Sequence, residues 1–216
     1  MRFRDRAHAG RVLAERLRSY ASREDLLVLG LPRGGVPVAF EVARELDARL
    51  DVLVVRKLGM PGQEELAMGA IASGGVRVVN EALVRELALD EETIARAAAA
   101  ESRELERRER LLRGERGPVD ARGRTVLLVD DGLATGSTMR AAALAVRAQD
   151  PRRLVVAVPV AAARTCDELR GEVDEVVCAS TPEPFRAVGS WYDDFAPTTD
   201  EEVRELLARS EAVTTR

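Results

Sequence analysis

Two adjacent carboxylates, Asp130 and Asp131, stand between the apolar run Val126-Leu127-Leu128-Val129 and the small-residue string Gly132-Leu133-Ala134-Thr135-Gly136-Ser137-Thr138. Four apolar residues, half of them β-branched, predict a strand covered on both faces, as in a parallel sheet. The carboxyl ends of such strands are where open α/β sheets bind ligands. Thr135, Gly136, Ser137 and Thr138 then bring backbone N–H groups and three hydroxyls to the start of Met139 to Arg147, a run patterned as an amphipathic helix. Such a helix start attracts phosphate. Carboxylates accept charge-assisted hydrogen bonds from a vicinal diol, each worth roughly 1.5 to 3 kcal/mol, and repel a phosphate set directly on them. The segment therefore suits a ribose 5-phosphate, with sugar hydroxyls over the acidic pair and the phosphate a few residues on. Taken one residue at a time, the same string also reads as a strand, a turn and a capped helix with solvated acids.

Two other places carry phosphate chemistry. Gly30-Leu31-Pro32-Arg33-Gly34-Gly35 follows the first expected strand and offers glycines for close backbone approach, a guanidinium for bidentate contact and a following helix start. Glycine-rich turns of this kind also serve purely structural ends. Lys57 is the only lysine in a chain that otherwise draws its positive charge from arginine, and it falls just after the expected strand Asp51 to Val55. A compact ammonium is not interchangeable with a guanidinium, so the choice is informative, although one residual lysine can also fall there by chance.

The elements that must position these groups alternate. The pattern predicts a helix over Ala7 to Ser22, a strand over Leu26 to Leu29, a helix from Val36 to Leu46 and the strand Asp51 to Val55. A loop over Arg56 to Glu65, with Gly59 and Gly62 as hinges, precedes the runs Ala67 to Ala72 and Val76 to Val79, joined by a hairpin-like Ser73-Gly74-Gly75 turn. Glu81 to Arg113 is helical, broken near Leu89-Asp90, where Asp90 can cap the second segment. Its Glu- and Arg-rich end from Glu101 reads as a solvated face. Further strands are expected at Arg153 to Val158 and Val173 to Cys178 and a last helix at Thr199 to Arg209, which together mean a mainly parallel sheet.

Composition narrows the classes. At 216 residues the chain suits one sizeable domain. A net charge of −4 with interspersed signs leaves no nucleic-acid footprint. No apolar run is long enough for a bilayer or a signal peptide, so a cytoplasmic location is expected. Cys166 and Cys178 form no Cys-x-x-Cys pair, which speaks against zinc or a disulfide framework and for two small residues in a reducing compartment. His8, the sole histidine, is far from every motif, and no Gly-x-x-x-x-Gly-Lys-Ser/Thr string occurs.

Val126 to Thr138 resembles the phosphoribosyl-diphosphate (PRPP) motif of the type I phosphoribosyltransferases: an apolar strand, two acids, a short spacer and Thr-Gly-x-Thr. Arg33 to Gly35 is similar to that family's pyrophosphate loop, and the loop after the second strand to its flexible hood loop. Phe185 to Phe195 is similar to the Val-Gly-x-x-x-Asp segment of hypoxanthine-guanine enzymes through Val188, Gly189 and Asp193. It departs from it in that Phe185 lies one residue too far from Val188 and Trp191 is extra. Aromatics are 3% of the chain, yet Phe185, Trp191, Tyr192 and Phe195 gather here, which packing of the tail onto the domain explains equally well.

The resemblance implies an α/β fold, a Rossmann-like mainly parallel sheet flanked by helices, as a single domain with its core over residues 24–180. A small hood would come from the N-terminal helix and residues 181–216, with a helical insertion over residues 81–113. It implies transfer of ribosyl 5-phosphate from PRPP to a nitrogen acceptor, a nucleobase in the nearest parallel, with Mg²⁺ as cofactor and release of pyrophosphate. Asp130, Asp131, Lys57 and Arg33 would be catalytic. Gly34, Gly35, Ala134, Thr135, Gly136, Ser137 and Thr138 would bind PRPP beside the acidic pair, and Phe185, Val188, Trp191 and Asp193 the acceptor. Asp130, Asp131 and Asp193 would face the metal, mostly through water or PRPP. Nucleic acid and membrane are not expected partners, while a homodimer is compatible with the family. A PRPP- or nucleotide-sensing regulator on the same fold is the alternative, and an interaction protein built on the Glu- and Arg-rich helix is a third reading.

Overall fold

The computed structural model describes residues 1–60, 63–79, 81–87 and 90–214. The chain runs from helix α1 (Arg6–Arg16), through a single 3₁₀ turn at Arg18–Tyr20, to strand β1 (Leu26–Gly30), helix α2 (Gly35–Leu46) and strand β2 (Arg49–Val52). Strands β3 (Val55–Met60), β4 (Gln63–Ala72) and β5 (Val76–Val79) follow, then helices α3 (Glu81–Glu86) and α4 (Glu91–Arg113). The second half is β6 (Thr125–Val129), α5 (Ser137–Arg147), β7 (Arg153–Val160), α6 (Ala163–Leu169), β8 (Glu175–Ser180), a 3₁₀ turn at Val188–Trp191 and α7 (Asp200–Thr214).

The expected parallel sheet is present. Its strand order is β2-β1-β6-β7-β8, and every neighbouring pair is parallel. β6 lies at the centre, with all five residues buried. Side-chain alternation divides the core between two faces. Val28, Leu127, Val129 and Val155 pack with residues of α1, α2 and α7, whereas Leu27, Leu29, Val126, Leu128 and Val156 pack with α5 and α6. Continuous apolar strands are what a sheet covered on both sides requires.

Three expectations change. Within the loop expected over Arg56 to Glu65, residues 56–60 and 63–65 are strand: β3 and β4 pair antiparallel as an arm of a separate sheet ordered β3-β4-β5, with register shifts around Gly59. Pro61 and the expected hinge Gly62 lie outside the described residues, as does Leu89. The strand expected through Val55 ends at Val52, because Val55 already belongs to that second sheet and pairs with Ala72. Cys166 and Cys178 are bonded as a disulfide, since α6 packs back along β8 and brings the two sulfurs together. Spacing along the chain carries no information about that approach.

The break before α4 is where it is expected, and Asp90 caps it by accepting from the Thr93 N–H at 2.7 Å. At the other end of α4, Arg113 donates two 2.9 Å hydrogen bonds to Asp51 on β2 and one of 2.7 Å to the Gly117 carbonyl. With side chains 1% and 4% exposed, this ion pair ties α4 to the sheet edge from inside the protein. α1 lies against α2, β7 and β8, and α7 against α2, α4 and β2. Among the described residues no helix is long and apolar enough to cross a membrane.

Candidate active site

The acidic pair stands where β6 ends at the carboxyl edge of the sheet. Asp130 Oδ1 accepts a 2.8 Å hydrogen bond from the Asp131 N–H, and Asp131 Oδ2 accepts one of 2.9 Å from Arg6 Nε. The Tyr192 hydroxyl donates to the Asp131 carbonyl at 2.6 Å. Burial, followed by the neighbouring Asp131 charge, pushes the Asp130 carboxyl well above the usual carboxylate range. Burial also raises Asp131, and Arg6 opposes that rise. Burial raises the Tyr192 phenol as well, with Asp131 adding to the effect, so the phenol is a fixed proton donor to the backbone here.

The chain folds around the pair with little room to spare. Leu31 N–H donates to the Val129 carbonyl at 2.9 Å, which lays the turn after β1 across the end of β6. A methyl group on Gly34 would overlap the Asp131 carboxylate, and one on Gly35 would sit 2.7 Å from the Val129 carbonyl oxygen and 2.8 Å from Asp130 Cα. The Pro32–Arg33 peptide bond in the same turn is cis. The two glycines are thus demanded by the acidic pair, which the sequence alone does not disclose.

After Asp131 the chain enters the phosphate-type loop. Gly136 has φ +71° and caps α5, which starts at Ser137 without any side-chain hydrogen bond to its first turn. A β-carbon at Gly136 would also meet Thr165 Cγ2 at 2.7 Å, and Thr165 anchors the loop by donating from Oγ1 to the Ala134 carbonyl at 2.6 Å. This helix start, with no side chain bonded to its first N–H groups, lines a pocket of about 180 Å³ together with Asp130, Ala134, Thr135, Gly136 and Val188. Helix start, backbone donors and hydroxyls together make an anion site.

A second cavity of about 580 Å³ adjoins it, since Thr138 lines both. Pro32, Arg56, Lys57 and Gly59 form one wall, and Ala97, Ala100, Glu101 and Arg108 of α4 form the other. Lys57 lies within β3, paired with Ala70, and makes no ion pair with any described residue, so its ammonium is placed by a strand and not by a loop opening. Arg56 donates to Glu101 at 2.6 Å and locks α4 to β3. The Glu- and Arg-rich helix is therefore a wall of the cavity as well as a solvated face.

Some expected members do not converge. Arg33 is exposed and stands 3.9 Å from Asp200 at the start of α7; its neighbour Pro32 lines the cavity instead. Asp193 is exposed and pairs with Arg2 at 3.4 Å. The reason is alternation: residues 192–194 run extended beside Phe3 and Arg4, with Asp193 N–H donating to the Phe3 carbonyl, so Tyr192 faces inward and Asp193 outward. Among the described residues no group of three or more His, Cys, Asp or Glu gathers to hold a metal. Phe185, Val188, Trp191 and Phe195 pack around Phe3, Ala9, Val160 and Tyr192, which is the tail packing that the sequence left open. Arg6 and Tyr192 are contributors that sequence reading missed. Arg6 is one arginine among many, 125 residues from its partner.

The comparisons agree with this geometry. The model of the phosphoribosyl transferase domain family matches residues 4–191. Two proteins of Mycobacterium tuberculosis, from strains CDC 1551 / Oshkosh and H37Rv and each named "Putative phosphoribosyl transferase", are 48% identical over 208 residues. The match takes in 96% of this chain and 47% of theirs, so the chain spans about half the length of these curated relatives. The crystal structure of TT1426 from Thermus thermophilus superposes with a TM-score of 0.89 at 47% identity, over 97% of this chain and 99% of that one. With its five-stranded parallel sheet and small antiparallel sheet, this chain belongs to the phosphoribosyl transferase domain family.

Proposed function

We propose that the protein transfers ribosyl 5-phosphate from PRPP to a nitrogen acceptor, a nucleobase in the first instance, with release of pyrophosphate. The observation that carries this reading is the junction at Thr138, where a pocket lined by Asp130 and the start of α5 adjoins a cavity lined by Lys57. A ribose-only ligand would leave the second cavity without a purpose.

In this reading Asp130 and Asp131 accept from the ribose hydroxyls, and the backbone and hydroxyls from Ala134 to Thr138 grip the 5-phosphate. Lys57 and the Pro32 to Gly35 turn take the pyrophosphate. Arg33 joins them by leaving Asp200, a pair between two half-exposed groups that costs little to break. Displacement at the anomeric carbon passes through an oxocarbenium-like state, so the protein acts by positioning, carboxylate charge and exclusion of water more than through a nucleophile of its own. The donor set suits Mg²⁺ as an ion held mainly by ligand oxygens and water, with the oxygens of Asp130 and Asp131 not engaged by Arg6 or the backbone at its edge. When bound it would neutralise charge on the departing pyrophosphate. Asp193, on Arg2, has no part in this arrangement. A cytoplasmic role in nucleotide metabolism belongs to the same proposal.

A panel of purine, pyrimidine and amine acceptors, incubated with PRPP and Mg²⁺ and read by pyrophosphate release, tests the reaction. Turnover with one acceptor is expected. Silence across the panel with intact PRPP binding would contradict transfer and favour a PRPP sensor on the same fold.

A further inference from the structure

Arg6 opens α1, and its guanidinium makes three contacts at the candidate site. Nε donates to Asp131 Oδ2 at 2.9 Å, Nη1 donates to the Ala196 carbonyl at 2.7 Å, and Cζ lies 4.0 Å from the centroid of the Phe195 ring. The Arg6 and Asp131 side chains are only 12% and 15% exposed. The approach to Arg6 is fixed from both sides. Asp5 caps α1 by accepting from the His8 N–H, and Phe3 and Arg4 are laced by backbone hydrogen bonds to Trp191, Asp193 and Asp194.

We propose that Arg6 is a positioning residue for the ribose-binding carboxylate: by occupying Asp131 Oδ2 it holds Oδ1 for the sugar diol, and by its grip on Phe195 and Ala196 it makes donor binding and the order of residues 192–196 interdependent. This rests on the reading of the acidic pair as the PRPP site. Asp131 Oδ1 makes no hydrogen bond to any described residue, so it is the oxygen left for a ligand. The pairing also explains how two adjacent carboxylates are tolerated in a part-buried site, since an unpaired buried charge is strongly disfavoured. The geometry asks for a guanidinium in particular: two N–H donors diverge to a carboxylate and a carbonyl while the flat face lies on a ring, which an ammonium cannot reproduce. A residue that merely covered the pocket until ligand arrived would act with the opposite sign, because its removal would tighten binding.

The test is PRPP binding by calorimetry to the full chain as wild type, Arg6→Ala, Arg6→Lys, Asp131→Asn and the Arg6→Ala/Asp131→Asn double variant. Emission of Trp191, the only tryptophan and a member of the tail, is recorded in the same titrations. Arg6→Ala is expected to bind PRPP on the order of tenfold to a hundredfold more weakly, the range for one charge-assisted hydrogen bond, with Arg6→Lys recovering only part of the loss. The double variant should bind no more weakly than Asp131→Asn alone, and a change of Trp191 emission on PRPP binding is expected in wild type and not in Arg6→Ala. Should Arg6→Ala not fold, Arg6→Lys carries the same prediction with its charge kept. Unchanged or tighter PRPP binding by the Arg6 variants, or losses that add in the double variant, would overturn the role of Arg6 and leave the site reading standing. No PRPP binding by wild type would overturn both.

Discussion

Gly34 lies against Asp131 so closely that the smallest possible side chain would overlap the carboxylate. The turn after β1 and the acidic pair after β6 are thus one object, assembled from segments about a hundred residues apart and joined by the Leu31 to Val129 hydrogen bond. Gly34→Ala must displace either the turn or the carboxylate, at a cost of about 1 to 3 kcal/mol for an overpacked site. PRPP affinity is expected to fall more than tenfold while far-UV circular dichroism is retained; unchanged affinity would show that the contact does not shape the site.

Lys57 is placed by strand pairing with Ala70 and lines the larger cavity. Lys57→Ala is therefore expected to slow pyrophosphate release from PRPP far more than it weakens ribose 5-phosphate binding. Loss of an interaction made mainly with the leaving group shows in kcat. Equal losses in both measurements would assign Lys57 a structural role.

The pair of Asp51 and Arg113 lies far from this chemistry and holds α4, one wall of the cavity, to β2. Removing one partner leaves the other buried and charged. Arg113→Ala, which leaves Asp51 without a cation whereas Asp51→Ala would leave Arg113 paired with Glu109, is expected to destabilise the fold by about 3 to 5 kcal/mol in denaturant unfolding. A change below about 1 kcal/mol would mean that the pair is no better than a surface bridge.

Acid stability has named sources. The Tyr20 hydroxyl and Arg153 hold the Glu175 carboxyl below its ordinary value, and Arg23 and Thr125 do the same for Asp25. A depressed carboxyl contributes stability that is fully present above its unfolded value, about 4.3 for Glu and 3.9 for Asp, and that is lost as pH falls through the lower folded value. The urea midpoint should therefore decline below about pH 4, and Glu175→Gln should flatten part of that decline. An identical acid limb in the variant would remove Glu175 from the account.

What could be read in advance follows physical locality. Val126 to Thr138 was legible because a buried strand, an acidic pair and a helix start are consecutive, and the parallel sheet followed from strands alternating with helices. The β3–β4 arm is hidden in the sequence because Gly59, Pro61 and Gly62 carry loop signals there, and the pairing partner that makes Val55 to Met60 a strand is not visible. The outward turn of Asp193 depends on Tyr192 packing against Phe3, and the disulfide depends on how α6 folds onto β8. The part of Arg6 depends on a contact across most of the domain. Each of these is a relation between distant segments, which no local pattern encodes.

The central claim is that the acidic pair binds the ribose of PRPP. Calorimetric titration of PRPP with Mg²⁺ into wild type and into the Asp130→Asn/Asp131→Asn variant tests it most directly. Two charge-assisted contacts to the diol predict a loss of at least about a hundredfold in affinity with the fold intact. Undiminished affinity in the double variant would contradict the claim.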